Sequence, residues 1–306
     1  MDIVSLFSGA GGLDLGLINA GHKIVWANDI DRDSCLSYEK NIGSHIVHKD
    51  ICEVKAEEIP DCDVVVGGFP CQGFSLANKL RHSDDDRNTL YRQFYRVINE
   101  KKPAYFLAEN VRGILSLDNG NAIKQIVSDF TEAGYRVKYK AFNTADYGVP
   151  QSRVRVIIAG TRTDIPKMAD FQFPEPTHDK SNWISVGKAL KDIPEPEETS
   201  KLFNHVYSKY KVTNRNYTGH RKTDPNKPSP TILARGNGKG GVCAIQHPLN
   251  HRRMSVRESA TVQTFPMNYD FVGSMGSMYR QVGNAVPIKF GEHLGLMLKQ
   301  LELVLI

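Results

Sequence analysis

The stretch IVSLFSGAGGLDLG, residues 3–16, decides the fold. An apolar run broken by one serine enters a segment with glycines at 9, 11 and 12, and an amphipathic stretch follows at once. Strand, glycine turn and helix in that order form the first half of a nucleotide-binding unit. Glycine at a turn lets the backbone fold back sharply and approach a ligand without interference from Cβ. The spacing here is G-x-G-G and not G-x-G-x-x-G, because Asp14 stands where the dinucleotide fingerprint has its last glycine. A plain tight turn would look the same.

Two carboxylates narrow the choice. Asp29 closes the next strand-like run, 20 residues beyond Gly9, where an acid binds ribose hydroxyls in nucleoside-binding sheets. Asp50 follows the third run and can accept from an adenine amino group. Ribose and adenine contacts without a phosphate consensus favour S-adenosyl-L-methionine over NAD. Two ordinary surface acids remain the alternative.

Working outward, strand-like runs at 3–7, 23–28, 45–48, 63–68, 104–110, 135–143 and 153–161 alternate with amphipathic stretches at 13–20, 32–41, 89–101 and 120–133. This alternation predicts an α/β fold, a mostly parallel, doubly wound, Rossmann-like sheet covered on both faces. After Thr161 the character changes, since eleven of the fifteen prolines lie beyond it and IPEPEET (193–199) reads as a linker. The expected organisation is a catalytic, cofactor-binding domain over 1–164 and a small loop-rich recognition domain with its linker over 165–268. A last segment over 269–306 should return to pack on the first domain.

The 306 residues carry a net charge of +5, with 40% apolar and 24% charged side chains, an ordinary globular composition. No apolar run reaches the ~18 residues of a membrane span, and the N-terminus lacks a charged-then-apolar leader pattern. The charge is uneven. Residues 201–257 hold twelve Lys/Arg against the single acid Asp224, so the rest of the chain is net acidic. Such asymmetry suits a polyanion gripped on one side, or merely a solvated basic face. The five cysteines (35, 52, 62, 71 and 243) form no C-x-x-C pair, which indicates neither a disulfide framework nor a zinc site and suggests a reducing, cytosolic setting. Four of them read as small buried groups. The exception is Cys71, on the stiff corner GGFPCQG after the apolar run 64–66.

That corner has a counterpart. FSGAGG, GGFPCQGFS, AENVRG, QSRVRV, RESATVQTFP and YRQVGNAVP occur in the order found in DNA (cytosine-5) methyltransferases, and the chain resembles the compact bacterial modification enzymes of that family nearly end to end. Only about 165–250 falls outside the shared blocks. The resemblance implies that Cys71 adds as a thiolate to carbon 6 of cytosine, making carbon 5 nucleophilic enough to take a methyl group. An ordinary thiol pKa of about 8.5 means that a helix N-terminus or nearby cations must raise the thiolate fraction. Glu109 would face the Watson–Crick edge of the base, its protonated carboxyl donating to ring nitrogen 3. Arg153 and Arg155, two apart on a strand, would share one face toward the active site, with Gln151 assisting.

By the same resemblance, Phe7, Ser8, Gly9, Gly11, Gly12, Leu13, Asp29, Ile30, Asp50, Ile51, Pro70, Leu90, Asn284 and Val286 would line the cofactor site. The base must leave the duplex, and the loop 73–91 is suited to close on the DNA. Gln72 and Ser75 lie at its start. Thr231, Arg235 and Lys239 fall in the recognition element, where an arginine most naturally reads guanine. Arg221, Lys222, Arg252 and Arg253 would hold phosphates. Arg257 and Glu258 look like a structural junction. Two departures stand out: Asn88 where glycine is common, and Asp29 where glutamate is usual.

The resulting expectation is a prokaryotic or viral cytoplasmic enzyme, at the nucleoid when acting, that works as a monomer on double-stranded DNA. It would use S-adenosyl-L-methionine and no metal, contact no membrane, and share a system with a restriction endonuclease it does not touch. Three alternatives differ in class. An RNA-methylating relative would carry a Cys-Phe-Thr triplet, which is absent here. An inactive DNA-binding scaffold would have no need of Cys71, Glu109 and Arg153 together. A nicotinamide oxidoreductase would have the other glycine spacing and no basic segment.

Overall fold

The computed structural model describes residues 1–70, 86–166, 168–197, 201–209, 223–234, 245–250 and 252–302. Cys71, Gln72, Ser75, Arg221, Lys222, Arg235 and Lys239 lie outside these residues.

Chain order is β1 (Asp2–Leu6), α1 (Gly12–Asn19), β2 (Lys23–Asp29), α2 (Arg32–Asn41), β3 (Ile46–His48), β4 (Val64–Gly67), α3 (Asp86–Lys101), β5 (Tyr105–Val111), α4 (Asn121–Glu132), β6 (Tyr135–Asn143), β7 (Gln151–Ser152), β8 (Val154–Arg162), α5 (Val186–Leu190), β9 (Ser229–Pro230), α6 (Val256–Val262), α7 (Met275–Asn284) and α8 (Ile288–Glu302). Seven strands make one sheet in the order β3-β2-β1-β4-β5-β8-β6. The first five run parallel, and β8 enters antiparallel between β5 and β6. The sheet is therefore mostly parallel, as the alternation predicts. The reversal has a local cause. Only residues 144–153 separate β6 from β8, fewer than the dozen or so a parallel crossover needs.

The strands have no wet face in the centre because each face meets helices. On one side Val4, Val65, Phe106 and Ile158 pack with Phe94, Val97 and Ile98 of α3 and Ile123, Ile126 and Phe130 of α4. On the other, Ile3, Val64, Val66 and Ile157 meet Leu13 and Leu17 of α1 and Phe290, Leu294 and Leu298 of α8. The contact between α1 and α8 is close because glycines allow it. A Cβ on Gly16 would come within 2.5 Å of the Ile288 carbonyl oxygen. The edge strand β6 departs from the expected two-sided cover, with Arg136, Lys138, Tyr139 and Lys140 exposed. Charged side chains on an edge discourage pairing with another chain.

A third cluster lies outside the sheet. It joins Val186 and Leu190 of α5, Ile232, Ile245, Val256, Ala260 and Val262 with Met278, Tyr279 and Val282 of α7, and touches Ala10 of the glycine turn. The expectation of four buried thiols fails at Cys52, which is exposed. It sits in the short turn that Asp50 caps after β3, on the rim of the sheet. Burial pushes the Cys35 and Cys62 thiols up to about 12, which suits inert core groups.

Candidate active site

The first turn is built as its glycines require. Phe7 has φ 56, Gly9 φ 56 and Gly11 φ 73, all left-handed backbone. A side chain at Gly11 would collide with Ile42 and Tyr38 as well. Asp29 is tied into this turn, since its carboxylate accepts from Gly9 N at 2.7 Å and Asp31 N at 2.8 Å. Each oxygen keeps a lone-pair direction for a ligand hydroxyl. Burial raises the pKa of Asp29, partly opposed by those two backbone donors. Ser8 is held between Ser5 and the end of β2, its hydroxyl donating to Ser5 O at 3.1 Å.

Below the turn lies a buried acid. Asp14 is fully buried and accepts from Ser5 Oγ at 2.7 Å and Tyr38 Oη at 2.9 Å, and Tyr38 Oη also lies 3.0 Å from His45 Nε2. Burial pushes its carboxyl up to about 6 against the lowering effect of both hydroxyls. What replaces the missing glycine of the dinucleotide fingerprint is thus the anchor of the turn.

Residues from the 269–286 stretch pack against the same turn. A Cβ on Gly12 would lie 2.4 Å from the Val286 carbonyl oxygen, and Tyr269 Oη donates to the Ala10 carbonyl. Val286 is buried, while Asn284 is exposed beside it. Ile30 is 66% exposed at the end of β2, unusual for its size. Asp50 uses one oxygen to cap the turn through Cys52 N at 2.9 Å and leaves the other available. Leu13 and Ile51 are buried, Phe7 and Leu90 pack against the core, and Pro70 is exposed at the end of β4. An adenosyl group with an amino-acid tail fits these features: a shared carboxylate, an exposed aliphatic face, a spare acceptor and a backbone surface without side chains.

A second group of residues meets where β4 and β5 end. Arg155 Nε lies 2.7 Å from Glu109 Oε1, with the side chains 11% and 13% exposed. The guanidinium is not aimed for a hydrogen bond through Nε, and its Nη1 donates to Val154 O at 2.8 Å. Neither Glu109 oxygen accepts a hydrogen bond among the described residues. Gly68 makes room, because a Cβ there would stand 3.0 Å from Glu109 Oε2. Asn110, which the sequence did not single out, is buried and donates to Phe69 O at 3.0 Å while accepting from Val111 N at 2.9 Å. It fixes the backbone at Phe69, next to Pro70.

Arg153 does not join Arg155 on Glu109. It precedes the regular strand, and its Nη1 and Nη2 donate to Ile232 O and Gly283 O, each at 3.0 Å. Burial pushes its guanidinium down to about 9, Arg155 adds to the effect and Glu109 opposes it, so it stays charged at neutral pH. Gln151 is equally internal, accepting from Ile232 N at 2.8 Å and donating to Gln263 Oε1 at 2.6 Å.

The expected phosphate contacts need correction. Arg252 is clamped between Glu195 of the linker (Nε to Oε2, 2.8 Å) and Glu258 of α6 (Nη2 to Oε1, 2.7 Å), and Arg253 is 2% exposed. Neither guanidinium is on the surface where a phosphate could meet it. Carboxylates about 57 residues back and 6 ahead in the chain took up a charge that the sequence suggested was solvated. Thr231 likewise spends its hydroxyl on Ser152 O at 2.9 Å. Arg257 is fully buried and donates to Phe203 O and Pro266 O, so this block is a junction.

A mostly parallel sheet, with a glycine turn tied to Asp29 at one strand end and an acid–arginine pair at the end of another, defines the class. The profile of C-5 cytosine-specific DNA methylases matches residues 1–300, and the chain belongs to that family. It is an enzyme of DNA cytosine-5 methylation. The Type II methyltransferase M.NgoFVII of Neisseria gonorrhoeae is 40% identical over 314 residues, covering 93% of this chain and 83% of that one. M.MthTI of Methanothermobacter thermautotrophicus, also a Type II methyltransferase, is 38% identical over 98% of this chain and 97% of that one. The crystal structure of S. pombe Dnmt2 superposes with a TM-score of 0.75 at 20% identity, over 98% of this chain and 99% of that one, a likeness of fold.

Proposed function

We propose that the protein transfers a methyl group from S-adenosyl-L-methionine to carbon 5 of a cytosine flipped out of a specific short duplex site, through a transient Cys71 adduct. The observation that carries this is the Glu109–Arg155 pair beside Gly68. It presents a carboxylate with open hydrogen-bonding capacity at the edge where a pyrimidine would dock. S-adenosyl-L-methionine, when bound, supplies an electrophilic methyl group. Gly9, Gly11, Gly12 and Asp29 would hold it, with Ile30, Asp50 and Val286 around the adenosine.

The thiolate of Cys71 forms a bond to carbon 6, and the displaced electron pair makes carbon 5 nucleophilic. Glu109 holds the amino group and ring nitrogen 3, sharing a proton that draws charge from the ring. Arg155 keeps Glu109 in place and favours the thiolate. Once carbon 5 has taken the methyl group, which would leave the cofactor as a neutral thioether, loss of the carbon 5 proton to a base and of the Cys71 sulfur as thiolate restores the aromatic ring. The relatives' Type II designation suggests a modification enzyme with a separate endonuclease. The same reading has the chain act as a cytoplasmic monomer, with residues 1–164 catalytic, 165–268 for recognition and 269–306 returning to the catalytic domain.

Duplex DNA carrying 5-fluorocytosine provides the test, because fluorine at carbon 5 cannot leave as a proton does. A denaturation-resistant protein–DNA adduct whose peptide maps to Cys71 is expected, absent in Cys71→Ser. An adduct at another side chain, or none, overturns the proposal, and transfer to tRNA in place of DNA would reassign the substrate.

A further inference from the structure

Ile232 has both of its backbone hydrogen-bonding groups satisfied by side chains from one short stretch of the catalytic domain. Its N–H donates to Gln151 Oε1 at 2.8 Å, and its carbonyl accepts from Arg153 Nη1 at 3.0 Å. β7 and β9 pair for two residues only, Gln151 with Ser229 and Ser152 with Pro230. Where the ladder stops, the two side chains continue it.

The same side chains reach a third element. Arg153 Nη2 donates to Gly283 O at 3.0 Å, while Gln151 donates to Gln263, whose Nε2 holds Val282 O at 2.7 Å and Ala285 O at 3.1 Å. Gly283 meets the 233–234 backbone directly, since a Cβ there would lie 2.4 Å from Ala234 N. Gln151, Arg153 and Gln263 are all buried. The Gly283 carbonyl and both backbone groups of Ile232 are thereby tied directly to residues just before Arg155, which lies on Glu109. The Val282 and Ala285 carbonyls are tied to them through Gln263.

Stability alone does not account for this. Among the described residues, Arg153 Nε has no hydrogen-bond partner and no carboxylate bonds the guanidinium. A buried charge held only by carbonyls costs more than an apolar side chain of the same size. What the planar fork supplies is two donors at a fixed angle to two separate chain segments.

We propose that Arg153, with Gln151, is a positioning residue that couples the recognition segment after β9 and the cofactor-side turn 282–286 to the Glu109–Arg155 pair. Arg153 does not contact the base. Its guanidinium sets where residues 229–234 stand relative to the base-holding pair, so a wrong site weakens the placement of Arg155 on Glu109. This rests on the proposed function for its kinetic consequence, and not for its structural one.

Arg153→Met and Arg153→Lys test it with two readouts. Hydrogen exchange needs no activity, and Arg153→Met should speed exchange in peptides covering 229–234 and 281–286 while 105–109 stays as in the wild type. For kinetics, bisulfite sequencing of DNA exposed to the wild type gives the site, and kcat/KM is compared on that duplex and on one with a single base changed. The loss of two charge-assisted hydrogen bonds should lower this discrimination roughly tenfold in Arg153→Met. Arg153→Lys, whose ammonium can still donate to both carbonyls, should recover most of it.

Unchanged exchange in both segments overturns the proposal. So does intact discrimination with a loss confined to the single-turnover transfer rate, the pattern of a group acting on the base. Should Arg153→Met not fold, Gln151→Met reads the same two quantities, with the same outcomes deciding. A wild type that methylates no DNA sinks the functional reading alone, and the exchange result still judges the coupling.

Discussion

Two arginine–glutamate pairs stand at the same separation, 2.7 Å, and are used in opposite ways. Arg252 and Glu258 saturate each other. Glu258 accepts from Arg252 through both oxygens and from Ser255 N at 2.7 Å, and Glu195 and the Arg253 carbonyl take the remaining Arg252 donors. Burial works against the Arg252 charge, but these carboxylates more than offset it and hold its pKa above the ordinary value. Around Glu109 the bonding is incomplete, and both partners keep some exposure. A closed pair is architecture; an open one is a place for a ligand. Distance alone does not separate them, and the count of unspent lone pairs and N–H groups does.

The largest effect that would test this contrast is kinetic. Glu109→Gln should lower single-turnover methyl transfer by roughly 10²–10⁴-fold while the melting temperature moves little. Wild-type rates would remove Glu109 from the chemistry. Glu258→Ala should do the reverse, costing about 3–5 kcal/mol in urea unfolding because Arg252 is left buried with half its partners. A loss below 1 kcal/mol would mean that the pair behaves like a surface ion pair.

Next in size comes Asp14. Its folded carboxyl titrates at about 6 against an ordinary 3.8, so the native state binds the extra proton between those values. The stability this proton gives is full below pH 3.8 and is lost as pH rises through 6. The span amounts to no more than about 3 kcal/mol. Asp14→Asn should flatten that part of the stability–pH curve, and an unchanged slope would mean that folding does not shift the Asp14 carboxyl. The smallest expected effect is a null one. Arg252→Gln should leave the slope of log DNA affinity against log salt unchanged, whereas a phosphate contact would reduce it by about 0.9.

The strands, the glycine turn and the position of Glu109 at a strand end were legible in the sequence because they rest on local period and backbone freedom. The antiparallel entry of β8 could have been read from the ten-residue gap before it. Arginine roles were not legible. Arg153, Arg155, Arg252 and Arg253 look alike in a sequence, and which of them meets a carboxylate, a carbonyl or water depends on segments up to 130 residues away. Asn110 and Gln263 escaped notice for the same reason, since an amide's task is set by the carbonyls around it.

The packing of α8 against α1 carries a consequence for synthesis. The glycine turn and the sheet face behind it leave the ribosome well before residues 288–302, which help to cover them. Until then Leu13, Leu17, Val64 and Val66 lack Phe290, Leu294 and Leu298 of their cluster, and apolar surface left open in this way invites chaperone engagement on the nascent chain.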